Sequence, residues 1–90
     1  MPYIESRSRK EIDPELKPIL DYIKENVPLP SGDYNYIITR ICNSIIMSNG
    51  LKYSVINEVV GVLECVKQEL YRRVAVPYED RKKIQNGDVY

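Results

Sequence analysis

Five side chains in this sequence have the type to do chemistry together: Glu58, Glu64, Glu69, Arg40 and Asn57. Carboxylates are hard oxygen ligands. Two or three of them suffice for Mg²⁺, which keeps several of its own waters. A cation held in that way can meet a phosphate. Asn57, Gly61, Glu64, Cys65, Gln68 and Arg72 recur at helical spacing as a polar stripe, with Glu58 and Glu69 on its flanks. Arg40 lies level with Glu64 if the two segments that carry them form a helical hairpin. One reading is then a partly buried Arg40–Glu64 ion pair that fixes helix register or dimer geometry. The other is a Mg²⁺ site built on Glu58, Glu64 and Glu69. No phosphate loop accompanies these residues, because the chain has neither a Walker sequence nor a glycine-rich strand-to-helix turn. No residue is assigned as catalytic or as a metal ligand, and no cofactor is expected outside the Mg²⁺ reading.

Composition narrows the classes further. The chain has no histidine, so a Cys–His nucleophile is excluded, and two cysteines alone are too few for structural zinc. Cys65 reads as a buried, inert thiol. In a hairpin, Cys42 and Cys65 fall about five residues out of level, roughly 7 Å along the axis, which disfavours a disulfide. Thirteen basic and thirteen acidic side chains cancel, whereas nucleic-acid binders carry a basic excess, so no nucleic-acid partner is expected. The cations Arg72, Arg73, Arg81, Lys82 and Lys83 interleave with Glu69, Glu79 and Asp80 and read as solvated surface. Eight tyrosines, with no Phe or Trp, suit the margin between core and water. No run of apolar residues is long enough to span a membrane, and the opening MPYIESRSRK lacks the apolar core of a signal peptide. A cytoplasmic location with reduced thiols is the expectation.

Three helices must position these groups. The segment from Ser54 to Val76 places Ile56, Val59, Val60, Leu63, Val66, Leu70 and Val74 at steps of three and four, one face of a long helix. The segment from about Asp33 to Ser48 does the same with Tyr34, Ile37, Ile38, Ile41 and Ile45, widened by Cys42, Ile46 and Met47. Asn49-Gly50 stops it, and Ser54 is the expected N-cap of the third helix. Asp13-Pro14 marks the start of the first helix, which runs to about Asn26 with Leu16, Ile19, Leu20, Ile23 and Val27 as its stripe and Pro18 bending it. Residues 1–12 form a short basic segment, 27–32 a proline-rich loop, and 77–90 a charged extension. A short connection makes the second and third helices an antiparallel hairpin. Gly61 costs the third helix about 1 kcal/mol relative to alanine, so a close approach by the second helix or by another subunit is expected there. A chain of this size hides only about 60% of its unfolded surface. The fold expected is therefore an all-α, single three-helix domain over residues 1–90, completed by dimerisation.

The segments MPYI, YNYIITR (Tyr34 to Arg40), INEVVGVLECVKQELYRRV (Ile56 to Val74), PYED and NGDVY together resemble a family of small uncharacterised proteins from bacteria, archaea and their phages. The resemblance implies an all-helical fold without an assigned activity, and directs attention to Asn35, Arg40, Asn57, Glu58, Glu64 and the tail. A weaker likeness is to all-α nucleotide pyrophosphatases of the MazG type, which use helical carboxylates and Mg²⁺; their paired ExxE and later ExxD are missing here. The readings converge on an oligomerising interaction or accessory protein, with a homo-oligomer and a possible protein partner and no membrane. The competing reading is a Mg²⁺-dependent nucleotide-binding or nucleotide-hydrolysing enzyme. The balance leans against an enzyme.

Overall fold

The first helix begins seven residues before the aspartate that marks its expected start. In the computed structural model, which describes residues 2–90, α1 spans Ser6–Asn26, α2 Ser31–Asn49, α3 Tyr53–Leu70 and α4 Val76–Asn86. Among the described residues the regular structure is helical throughout. The stretch Ser6–Glu11 is rich in Arg, Lys and Glu, which lose little side-chain freedom in a helix. That gain extends α1 back to the extended residue Glu5, whose carbonyl accepts the Arg9 N–H. Pro14 and Pro18 therefore both sit inside α1. Each removes one N–H, so the carbonyls of Lys10 and Pro14 lose their helical donors. Both prolines are solvent-exposed, where water can satisfy those carbonyls.

Backbone caps replace the side-chain caps that the sequence offers. Pro30 precedes α2, and its carbonyl accepts the Asp33 N–H at 2.9 Å. Lys52, not Ser54, precedes α3, and its carbonyl accepts from Val55 and Ile56 at 3.1 and 3.0 Å. Gly50 ends α2 with φ 95° and ψ 142°, a conformation essentially reserved for glycine. Gly87 ends α4 in the same way, donating its N–H to the Lys83 carbonyl.

The third helix does not stop at Pro77. Between α3 and α4 lies one wide turn, Tyr71–Ala75, in which the Val76 N–H reaches back five residues to the Tyr71 carbonyl. This π turn shifts the hydrogen-bond ladder by one residue just ahead of the proline. Pro77 then follows directly after the π turn, so its missing N–H falls where the ladder has already shifted.

The interior is sparse. Val55 and Val59 are the buried apolar residues among those described, Val59 at 5% exposure. Around them Ile19, Ile23, Tyr34, Ile37, Cys42, Ile46 and Ile56 are half-buried. The expected apolar faces extend well beyond this nucleus. Leu16, Leu20, Ile38, Ile41, Val60, Leu63, Val66, Leu70 and Val74 are all exposed. Cys65, expected to be buried, is exposed, and both cysteines are free thiols. The exposed surface totals 8185 Å². A compact chain of 10.5 kDa presents about 5,400 Å². The radius of gyration, 16.8 Å, likewise exceeds the roughly 12 Å of a compact chain this long.

Gly61 shows the same openness. A Cβ placed there meets nothing within 4 Å, so α2 does not make the close approach expected of it. Gly61→Ala should raise stability by about 1 kcal/mol through helix propensity alone. Chemical denaturation checks this; an unchanged or lower midpoint would mean that something outside the chain needs the space.

Candidate functional site

The five candidate residues do not meet. On a helix turning about 100° per residue, Glu58 and Glu69 share an azimuth but stand about 16 Å apart along the axis. Glu64 points about 120–140° away from both. Each has separate company. Glu58 lies at the margin of the groove between α2 and α3. Glu64 accepts from Gln68 at 3.2 Å and pairs with Lys67 at 3.4 Å. Glu69 is bound by both oxygens to Arg72, at 2.7 and 2.9 Å. Asn57 is exposed. Among the described residues no three Cys, Asp or Glu side chains converge as a metal-holding group.

Arg40 does not pair with Glu64. Its Nη1 donates to the Tyr36 hydroxyl at 2.7 Å, and its guanidinium carbon lies 5.7 Å from the Tyr36 ring centroid. The expected ion pair compared levels along the two helices but not azimuths. Arg40 is two residues on from Ile38 and Glu64 two on from Val62, so each sits about 200° round its helix from a groove residue. Both charges face away from the contact between α2 and α3, and each takes the partner that its own helix supplies.

A polar cluster forms instead at the far end of α3. The Tyr3 hydroxyl donates to Glu69 Oε1, tying the N-terminal segment to α3 across 66 residues of sequence. The Glu69 side chain is only 18% exposed. Arg72 and then Tyr3 hold its carboxyl below the ordinary value of 4.5. The Tyr3 phenol is pushed above its ordinary 10.0, first by its hydrogen bond to Glu69 and then by desolvation. Arg72 is raised in turn by Glu69. The Glu69–Arg72 half was legible as a pair three residues apart on one helix. Nothing in the sequence links Tyr3 to it.

These directions set a pH window. The depressed carboxyl contributes stability that is present above about pH 4.5 and is lost as the pH falls through its folded value. The raised phenol contributes stability that is present below about pH 10 and is lost as the pH rises through its folded value. The Tyr3 link should therefore weaken as the pH rises through the folded phenol value above 10.0, and the Glu69–Arg72 pair as the pH falls through the folded carboxyl value below 4.5. NMR titration of the Tyr3 ring tests the link: the Tyr3 transition should fall toward 10.0 in Glu69→Gln. The same transition in both proteins would contradict it.

Two of the concave surfaces among the described residues lie along α3 and its continuation. The first, about 340 Å³, runs between α2 and α3; Ile38, Ile41 and Ile45 form one wall, and Val62, Leu63 and Val66 the other. Glu58 is the charged residue among its lining. The second, about 460 Å³, follows the π turn and is floored by Leu70, Val74 and Ala75 between Tyr71 and Tyr78. Two cations, Lys67 and Arg81, rim it. Arg81 lies over the Tyr78 ring at 5.8 Å, and the Tyr71 hydroxyl donates to Glu79 at 3.4 Å across the turn. The sequence hides the second surface because Pro77 marks a helix end there.

No helix among the described residues is long and apolar enough to cross a membrane. No curated protein and no solved structure matches the chain. One family model does match, over residues 1–89, and by that match the chain belongs to the family described as a domain of unknown function (DUF6899).

Proposed function

We propose that this protein is an oligomerising interaction protein whose fold is completed by association. In this reading α2 and α3 form the antiparallel hairpin that their short connection favours, and its open face is an assembly surface. The observation that carries the reading is the surplus of exposed surface. The chain presents 8185 Å², about 2,800 Å² more than a compact chain of its mass. A standard interface covers about 800 Å² per partner, and obligate homodimers cover more. With few side chains buried, the isolated chain has little to set against the conformational entropy lost on ordering ninety residues, about 1–2 kcal/mol each for the backbone. Contiguous rows of exposed aliphatic residues such as Ile38, Ile41, Leu63 and Val66 mark interaction surfaces in folded proteins.

The Mg²⁺-dependent nucleotide enzyme is the less supported reading, since Glu58, Glu64 and Glu69 serve three separate surroundings. A thermal-shift panel of nucleoside mono-, di- and triphosphates with and without Mg²⁺ separates the two. The interaction reading expects no shift. A ligand at one hundred times its dissociation constant would add about 2.7 kcal/mol. A Mg²⁺-dependent rise of that order would overturn the reading in favour of the enzyme.

A further inference from the structure

The two grooves differ in charge, and the difference selects which of them can face a copy of itself. A two-fold interface presents the same patch on both sides. The groove along the π turn carries Lys67 and Arg81 and no acidic lining residue. Laid against itself it would bring like charges together in a drying interface, which disfavours that pairing. The groove between α2 and α3 has no cation in its lining. Its six wall residues are aliphatic, and each is about half exposed in the single chain.

From these observations we infer that the α2/α3 groove is a self-docking surface: it takes the same groove of a second copy, closing a four-helix core across a two-fold axis. The inference rests on the proposal that the chain self-associates through the open face of the hairpin, and adds the groove within that face, the two-fold pairing and the four-helix core that results. The surface surplus per chain is large enough for such an interface with area to spare. Zero formal charge sets no net repulsion between copies. Glu58 fits the same arrangement. With the axis near Val62 and α3 running antiparallel to its copy, the two Glu58 residues lie about 12 Å apart at opposite ends, beyond the screening length at physiological salt. The cationic groove around Tyr71 and Tyr78 stays outside the core.

Site-directed alkylation tests the geometry. Val62 and Val74 are similarly exposed in the single chain, at 52% and 59%, and lie on the two different grooves. Each is replaced by cysteine, Val62→Cys or Val74→Cys, in a Cys42→Ser, Cys65→Ser background. Light scattering first gives the mass at the labelling concentration. The expected result is a mass above one chain, with the thiol at 62 reacting at least tenfold more slowly than that at 74. Equal rates, or protection at 74, in an associated protein would overturn the docking surface while leaving self-association standing. A mass of one chain for both variants and for the unsubstituted protein would overturn self-association itself.

Discussion

Ile41→Glu should weaken self-association by more than a hundredfold. Ile41 is 50% exposed in the single chain, and substitutions at such positions of a monomer change stability by no more than about 0.5 kcal/mol. Within a closed core the same change buries a carboxylate with no partner. Polar burial without compensation costs about 1–3 kcal/mol by protein measurements, and an ionised group costs more. A two-fold interface receives the insult twice. Even about 3 kcal/mol in total is over a hundredfold in affinity. The competing effects thus differ by a factor of several, and sedimentation velocity reads the outcome directly. An Ile41→Glu protein that sediments as the unsubstituted chain does would remove the α2/α3 groove from the account.

Val59→Asp should unfold the chain outright, whereas Val60→Asp should be nearly neutral in the chain's own stability. The two valines are adjacent in sequence but sit about 100° apart on α3. Val59 is 5% exposed and belongs to the small buried nucleus with Val55, whereas Val60 is 59% exposed. An aspartate at 59 places an unpaired charge where no polar partner lies and removes packing from a nucleus that has little to spare. That combination exceeds the few kcal/mol by which a domain of this size is stable. At 60 the same side chain points to solvent, where helix propensity alone costs a few tenths of a kcal/mol. Circular dichroism in the absence of denaturant distinguishes the two. A folded Val59→Asp protein would mean that the α2–α3 contact is not what holds the chain together.

The sequence carried much of this architecture, for identifiable reasons. The three-four spacing from Ile56 to Val74 and the isoleucines of α2 announce helices because one face of each is apolar throughout. Gly50 and Gly87 end their helices because only glycine accepts the backbone there. What failed was punctuation by proline. Asp13-Pro14 carries every mark of a helix start, and Pro77 every mark of an end, yet helix passes both. Pro14 is exposed, on a side of α1 open to solvent, and Pro77 is preceded by a π turn that shifts the ladder. The Arg40–Glu64 pair failed for a different reason. Level along a hairpin can be counted from sequence, but azimuth depends on where the groove falls, and Arg40 and Glu64 lie about 200° from it. The Tyr3–Glu69 contact depends on tertiary placement of the N-terminal segment, which no local pattern encodes.

The apolar face of α3 is where sequence and structure diverge most usefully. Read alone, seven aliphatic residues in register demand a covering layer, from the same chain or from a second copy. In the structure Ile56 and Val59 are covered and the rest of the stripe lies open as far as Val74. The expected cover is absent over most of the stripe, and a second copy is the cover we propose for it.

Sedimentation equilibrium on the unsubstituted chain at low micromolar concentration tests that assignment most directly. The account predicts a mass of at least two chains of 10.5 kDa, with a melting midpoint that rises with protein concentration. A 10.5 kDa species that melts cooperatively at a midpoint independent of concentration would contradict it.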